Sequence, residues 1–575
     1  MKTAKALLAM ALILCLLAGL TACTQTPAAS QAPGGGTPAT TAPGGDSGGG
    51  VVIGGGEIEG VAKTEKVDNL VVVMGSATFD PAPFGSVGGR GAFEQMLYAA
   101  PIYRNDFTEN YDESTPWIAK NVTKVSDVIY DIEIWDNIVD SQGNKFLADD
   151  LIWSYGMLVT IGEQIFVGNQ IKEWTKVDDY NVRLELEGPA ARAIEYVLGY
   201  NRIGVCTKDW YERTSADERA VNPATTGPYK IKSIVPGAEI VLEAVEPYWM
   251  PEDLRPAAMK QTIKTITMRT ITEPAMRSIA LENKEADVSA ISASELGRFY
   301  ENGMAKAGYN VQILSSDHYF GYFLNMDVNS GSEVAKNINL RKAILTALKW
   351  DDLALAVGQT YETIEQTFTC GVVNGGAYNP EWSNESYWEY DLDLAKQYLA
   401  DAGFKPGEVT IRYLTRTGAT ADAECAVVKA LLEQVGINVE LLLYDQATFN
   451  NFKFDSSHWD MIRDNKPGSH MAYGWDDLFN PKGYSNGGMN FIFSKGNDYG
   501  YGEQLLHDAV NKTSPETIEA FHDFLIESAC AKGLYVTKTF NVAQDGVLTM
   551  TRGQGTQLAP AGYVFSEDYK SVLDK

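Results

Sequence analysis

The chain has 575 residues, 45% hydrophobic and 21% charged, a globular profile rather than a fibrous or disordered one. Its formal charge of −28 speaks against nucleic acid, which needs a basic footprint. The acidity serves solubility first and a taste for cationic or zwitterionic ligands second. About 520 residues follow the low-complexity start, too many for one hydrophobic core, so two or more lobes are expected.

The chain opens Met1-Lys2-Thr3-Ala4-Lys5, two positive charges ahead of an apolar run from Ala6 to Leu20 that is too short to stay in a bilayer as a spanning helix. The run ends Leu20-Thr21-Ala22-Cys23. This resembles the bacterial lipobox, whose cysteine is diacylated and becomes the first residue of the mature protein; the alternative is an ordinary export signal with an incidental Cys23. Residues 1–22 are then a lipoprotein signal peptide, Cys23 is the lipidation site and membrane anchor, and loss of Lys2 and Lys5 takes the charge from −28 to −30. Residues 23–56 are Gly, Pro, Ser, Thr and Ala with almost no charge. Such a segment cannot bury enough apolar surface to offset its ordering entropy, so a disordered tether is expected, with a reach of about 30 Å.

Strand-like runs rich in β-branched residues follow at 69–75 (NLVVVMG), 128–135 (VIYDIEIW), 180–187 (YNVRLELE), 238–245 (AEIVLEAV) and 310–316 (NVQILSS). Between them, Asp149-Asp150 could be taken for a catalytic carboxylate pair, but the two open a helix after a turn, where they cap free N–H groups and complement the dipole. Thr226-Gly227-Pro228-Tyr229 lacks the spacing of a phosphate loop and is expected to be a tight turn entering a strand. Over 391–404 a helix is predicted, capped by Asp391, with Leu392, Ala395, Leu399 and Ala402 on one face and Gly403 at its left-handed end. Residues 408–445 have the order strand, helix, strand, which predicts a βαβ unit with a parallel pair. The body is therefore α/β.

No second apolar run approaches a membrane span. Beyond the export region, Cys206, Cys370, Cys425 and Cys530 are scattered with no C-x-x-C, as consistent with buried thiols as with disulfides. None of the five histidines has metal-ligand spacing, H-E-x-x-H does not occur, and neither stretch with G-x-S-x-G spacing (45–49 and 483–487) follows a strand-like run as a nucleophile elbow must. No metal, cofactor or catalytic residue is expected.

The ordered set Tyr130–Tyr155 (YDIEIWDNIVDSQGNKFLADDLIWSY), Thr226–Lys230 (TGPYK), EPYWM (246–250), ALENKEADV (280–288), FLNMD (323–327), NLRKAILTALKWDDL (339–353) and YDLDLAKQYLADAGF (390–404) resembles the family 5 extracellular solute-binding proteins, the oligopeptide- and dipeptide-binding components of ABC importers. The resemblance covers most of residues 57–535. It implies a two-lobed periplasmic-binding-protein-like fold (type II, cluster C) with an extra small domain inserted in the first lobe. The implied division is lobe I at 57–98, 205–316 and 536–575, the inserted domain at 99–204 and lobe II at 317–535. Crossovers are expected at 317–326 and 533–542, whose rings Tyr319, Tyr322 and Tyr535 would line a cleft floor, although aromatic residues are more often core than site.

In the family an aspartate after a tryptophan pairs with the ligand's α-ammonium; the counterparts here are Trp475 with Asp476 or Asp477, with Asp464 as the alternative. Arg463 is a candidate for a ligand carboxylate, against an ordinary surface ion pair. The implied function is capture of a solute, foremost a peptide, by a monomeric, membrane-anchored, non-enzymatic protein that delivers it to ABC permease subunits, with no nucleic acid involved. The alternatives are an oligosaccharide or other solute on the same fold, a sensor, or an exported lipid-anchored hydrolase.

Overall fold

Leu70-Val71-Val72-Val73 is fully buried, as a continuously apolar strand covered on both faces must be. It runs through the first half of a 12-stranded sheet. This computed structural model describes residues 51–53, 61–64, 66–75, 81–84, 92–103, 114–160, 168, 170–187, 193–199, 204–356, 364–366, 387–467, 475, 500–511, 514–551 and 558–575. The expected signal peptide, Cys23, Cys370, Asp476 and Asp477 lie outside the described residues.

In chain order the first lobe supplies β1 (Val51–Ile53) and β2 (Val67–Met74), then a separate four-stranded antiparallel sheet. That sheet contains β3 (Ala119–Lys124), β4 (Ile129–Ile134), β5 (Ile171–Lys176) and β6 (Asn181–Leu186) in the order β3-β4-β6-β5, with helix α1 (Ala148–Thr160) between β4 and β5. The chain returns to the large sheet with β7 (Tyr229–Val235), β8 (Glu239–Ala244), β9 (Ile263–Thr270) and β10 (Val288–Ile291). Leu70 and Val72 of β2 and Ile266 of β9 share one continuous core with Ile132, Leu151 and Leu184 of the small-sheet region.

The motifs in this region are structural. Asp150 accepts the Leu147 and Lys208 amides at 2.7 and 2.8 Å, so it closes the start of α1 as a capping acid. Thr226 accepts the Ala99 amide at 3.1 Å and donates to the Val205 carbonyl at 2.8 Å. A Cβ on Gly227 would meet the Met96 carbonyl oxygen at 2.5 Å, so only glycine fits there. Asp287, fully buried, accepts from the Val71 amide, the Ser571 hydroxyl and the Val572 amide, tying three stretches of chain together.

There follow β11 (Tyr309–Leu324), α2 (Ile338–Ala347), β12 (Ile364–Gln366), α3 (Leu392–Asp401), β13 (Val409–Arg416), α4 (Ala419–Val435), β14 (Ile437–Tyr444), α5 (Gln446–Phe452), β15 (Met461–Pro467), α6 (Gly500–Asn511), α7 (Pro515–Glu527) and β16 (Ala531–Gln544). β13, α4 and β14 form the expected βαβ unit, the strands parallel from Val409↔Ile437 to Arg416↔Tyr444. Asp391 caps α3 by accepting the Asp393 and Leu394 amides, and Gly403 has φ +89°. Cys206, Cys425 and Cys530 are buried free thiols.

The large sheet has the order β7-β8-β9-β2-β10-β16-β11-β15-β13-β14, with β1 added to β11 and β12 added to β16. Two long antiparallel strands, β11 and β16, thus belong to both halves. Their ladder runs from Tyr309↔Gln544 to Ser315↔Lys538, breaks, and resumes at Tyr319↔Val536, leaving residues 316–318 opposite Thr537 alone. On the outer edges β1 pairs with 311–313 and β15 with 318–324, while β10 pairs with 540–543 and β12 with 535–537. Among the described residues, the sheet is therefore two strands wide at residues 314–315 and 538–539. One expectation is corrected here. Val51–Ile53, inside the segment 23–56 expected to be a disordered tether, form a strand, because three β-branched residues meet an open sheet edge.

Candidate ligand site

Just past the break in the ladder, alternation sends Phe320 and Tyr322 of β11, Arg463 of β15 and Tyr413 of β13 to one face, while Phe323, Ile462 and Leu414 go to the other. Tyr322 stands opposite Arg463, and Phe320 opposite Tyr535. Helix α4 adds Glu424. The Arg463 Nε lies 2.7 Å from Glu424 Oε2, and Arg463 Nη2 donates to the Tyr535 hydroxyl at 2.8 Å. The Tyr322 hydroxyl donates to Glu424 Oε1 at 2.6 Å. The guanidinium also sits 4.4 Å from the Phe320 ring centre, and that ring leans on Tyr535 at 5.1 Å.

The side chains of Arg463 and Glu424 are 12% and 1% exposed, so this is a buried ion pair and not the surface pair weighed from sequence. Burial pushes the Glu424 carboxyl up, and Arg463 opposes that shift. Burial likewise works against the Arg463 charge, but Glu424 and the surrounding tyrosines more than offset it, so the guanidinium stays charged. Burial also raises the Tyr322 and Tyr535 hydroxyls, the latter to about 12. Arg463 and Tyr322 thus meet one carboxylate, the first through its charge and the second through its hydroxyl proton, while Tyr535 accepts from Arg463.

The other candidates are placed as follows. Tyr322 is wholly buried, and its hydroxyl is occupied by Glu424. Trp475 is 1% exposed, its ring 5.0 Å from Phe521 in the core beneath α6 and α7. The backbone of Tyr319 lies in β11 opposite Lys466 and Val536; its side chain, like Asp476 and Asp477, lies outside what the structure describes. Asp464 points to the opposite face, 2% exposed, bonded to Arg416 and 3.5 Å from Lys453 Nζ, so its charge is already met by two cations. Among the described residues no group of three His, Cys, Asp or Glu side chains could hold a metal, and no helix is long and apolar enough to cross a membrane.

Sequence reading did not single out Glu424. Its signal was present: Ala421, Cys425, Val428, Leu432 and Val435 make the apolar stripe of α4, and position 424 falls within it. An acid on a buried stripe requires a partner.

Two half-sheets sharing two long strands, with a polar and aromatic cluster where those strands enter the second half, define a two-lobed binding protein of the periplasmic type II fold. The chain belongs to the bacterial extracellular solute-binding proteins, family 5, whose profile matches residues 113–486. It is similar in fold to the ABC transporter substrate binding protein CtaP from Listeria monocytogenes, at 16% identity and TM-score 0.68, covering 88% of this chain and 100% of that one. The oligopeptide-binding protein AppA from Bacillus subtilis, solved with a nonapeptide, superposes at 17% identity and TM-score 0.66, again over 88% and 100%. NikA from Brucella suis, solved with Fe(III)-EDTA, gives 21% identity and TM-score 0.70 over 87% and 100%. No curated protein sequence matches the chain. The protein is thus an extracytoplasmic solute-binding protein.

Proposed function

We propose that this protein, anchored in the membrane through a lipid on Cys23, encloses a peptide between its lobes and passes it unaltered to the permease of an ABC importer. The observation that carries this reading is the narrowing of the sheet to two strands between the halves, the place where one lobe can swing against the other. The family match and the nonapeptide held by AppA support a peptide. In this reading lobe I comprises 57–98, 205–316 and 536–575, lobe II comprises 317–535, and 99–204 form the inserted domain. Asp476 or Asp477, following the buried Trp475, takes the ligand's ammonium. Arg463, paired with Glu424, and Tyr535 beside it face the cargo, with Tyr322 positioning Glu424, and Tyr319 is a further contact in this reading. The protein works as a monomer and carries out no chemistry.

A second reading, a small chelate or other non-peptide solute, has support from the Fe(III)-EDTA held by NikA. Native mass spectrometry of protein extracted from membranes in detergent separates them. The expected spectrum shows a chain beginning at diacylated Cys23 and carrying noncovalent peptides. A metal chelate or sugar as the retained mass favours the second reading, and cargo recovered hydrolysed rules out both.

A further inference from the structure

We propose that Val51–Ile53 is a docking strand: it captures the linker on the open edge of β11, so that the chain leading back to Cys23 leaves the body beside the junction of the lobes. The pairing is parallel, Val51↔Val311, Val52↔Gln312 and Ile53↔Ile313. It covers the stretch of β11 whose outer edge no other described strand occupies, since β15 begins only at His318. An uncovered edge of this kind invites strand addition.

The sequence supplies a matching occupant. Three β-branched residues stand between Gly48-Gly49-Gly50 and Gly54-Gly55-Gly56 in a segment that is otherwise mostly Gly, Pro, Ser, Thr and Ala. β-branched residues favour extended pairing, and the flanking glycines let the chain turn sharply on either side. Three residues pair only marginally on their own. A second observation shows why these are held. Val61 and Asn310, the residue that precedes Val311, line the same surface cavity of about 460 Å³, so the next described residue after Ile53 lies on the same side of the body as the strand's partner. Only residues 54–60 separate Ile53 from Val61, and so short a connection gives the strand an effective concentration in the millimolar range.

Docking has two consequences. The chain between Cys23 and the docked strand is limited to residues 24–50, and β11 is held on both edges at Val311–Ile313, which confines bending to the residues that follow. Neither depends on the nature of the cargo or on lipid at Cys23. Hydrogen exchange of the full mature chain, without added ligand, tests the proposal by comparing the natural sequence with V51G/V52G/I53G at two protein concentrations. The natural protein should show slowed exchange at 51–53, and the triple variant should exchange at least tenfold faster at 311–313 with 437–444 unchanged. Exchange of 51–53 at the rate of an unstructured peptide, or no change at 311–313 in the variant, overturns it. So does protection that grows with concentration while the protein sediments as a dimer, because the strand would then come from a second copy.

Discussion

Lys532 shows how a single buried side chain makes the stability of the second lobe depend on pH. Its ammonium donates to the carbonyls of Leu345, Leu348 and Trp388 at 3.1, 2.8 and 2.8 Å. The first two lie at the end of α2, where the Leu345 carbonyl also accepts the Leu348 amide, so β16 adds to the cap of α2 through this lysine. Three acceptors match three donors, yet none carries a full charge, and burial pulls the lysine down to about 7. The folded value lies below the ordinary ~10.4, so between about 7 and ~10.4 the unfolded chain binds more protons and stability rises with pH. Below about 7 both states are protonated and the burial penalty is present in full. Denaturant titrations from pH 7 to 9.5 should therefore show a gain of order 1–3 kcal/mol in the natural protein that Lys532→Met lacks. Comparing slopes rather than absolute stabilities keeps the test valid if the variant is weaker throughout; equal slopes refute it. Arg341 makes an instructive contrast. It too is buried against carbonyls, those of Ser528, Val334 and Ala335, but an arginine keeps its proton and adds no slope in this range.

Helix α4 and strand β15 are joined through Glu424 and Arg463, and the joint predicts a characteristic pattern of mutational costs. Removing either partner alone strands a charge in the core, so Glu424→Leu and Arg463→Met should each cost about 3–5 kcal/mol. Together they replace a desolvated pair with apolar volume, and most of that loss should return, a coupling that denaturation of the two single variants and the double variant measures. Additive costs would mean that the pair is not the joint. The elements themselves were legible in the sequence: the caps of α3, the βαβ order of β13, α4 and β14, and the apolar run of β2 each follow from local periodicity and punctuation. What joins them was not. Arg463 and Tyr535 stood out as residues, but the contacts of Arg463 to Glu424 and to Tyr535 close between segments tens of residues apart, and no local pattern encodes such a closure. The single core shared by the small four-stranded sheet and lobe I escaped for the same reason. The strand at Val51–Ile53 was hidden by composition, since nine neighbouring residues include six glycines and the average conceals the apolar triplet.

At the scale of the whole molecule, the question is where two lobes that share a sheet can bend. A wide sheet resists twisting because its strands are held on both sides, and among the described residues the two long strands lack an outer neighbour at the same level around residues 314–315 and 538–539. The three residues 316–318 facing Thr537 alone give β11 slack at the same level. Slack and narrowness coincide, which is the arrangement a hinge of two crossing strands needs. Deleting Ser316 and Asp317 would leave one residue opposite one, and because side chains alternate with a period of two, the rest of β11 would keep its faces. The variant should therefore fold with an unchanged thermal midpoint but bend less. In solution scattering, natural protein stripped of cargo should contract when saturated with a mixture of tetra- to octapeptides, and the shortened variant should contract less and bind more weakly, since closure supplies part of the contact with the cargo. Equal contraction in both proteins would move the hinge elsewhere, and weak binding with full contraction would place the bulge in the site and not in the joint.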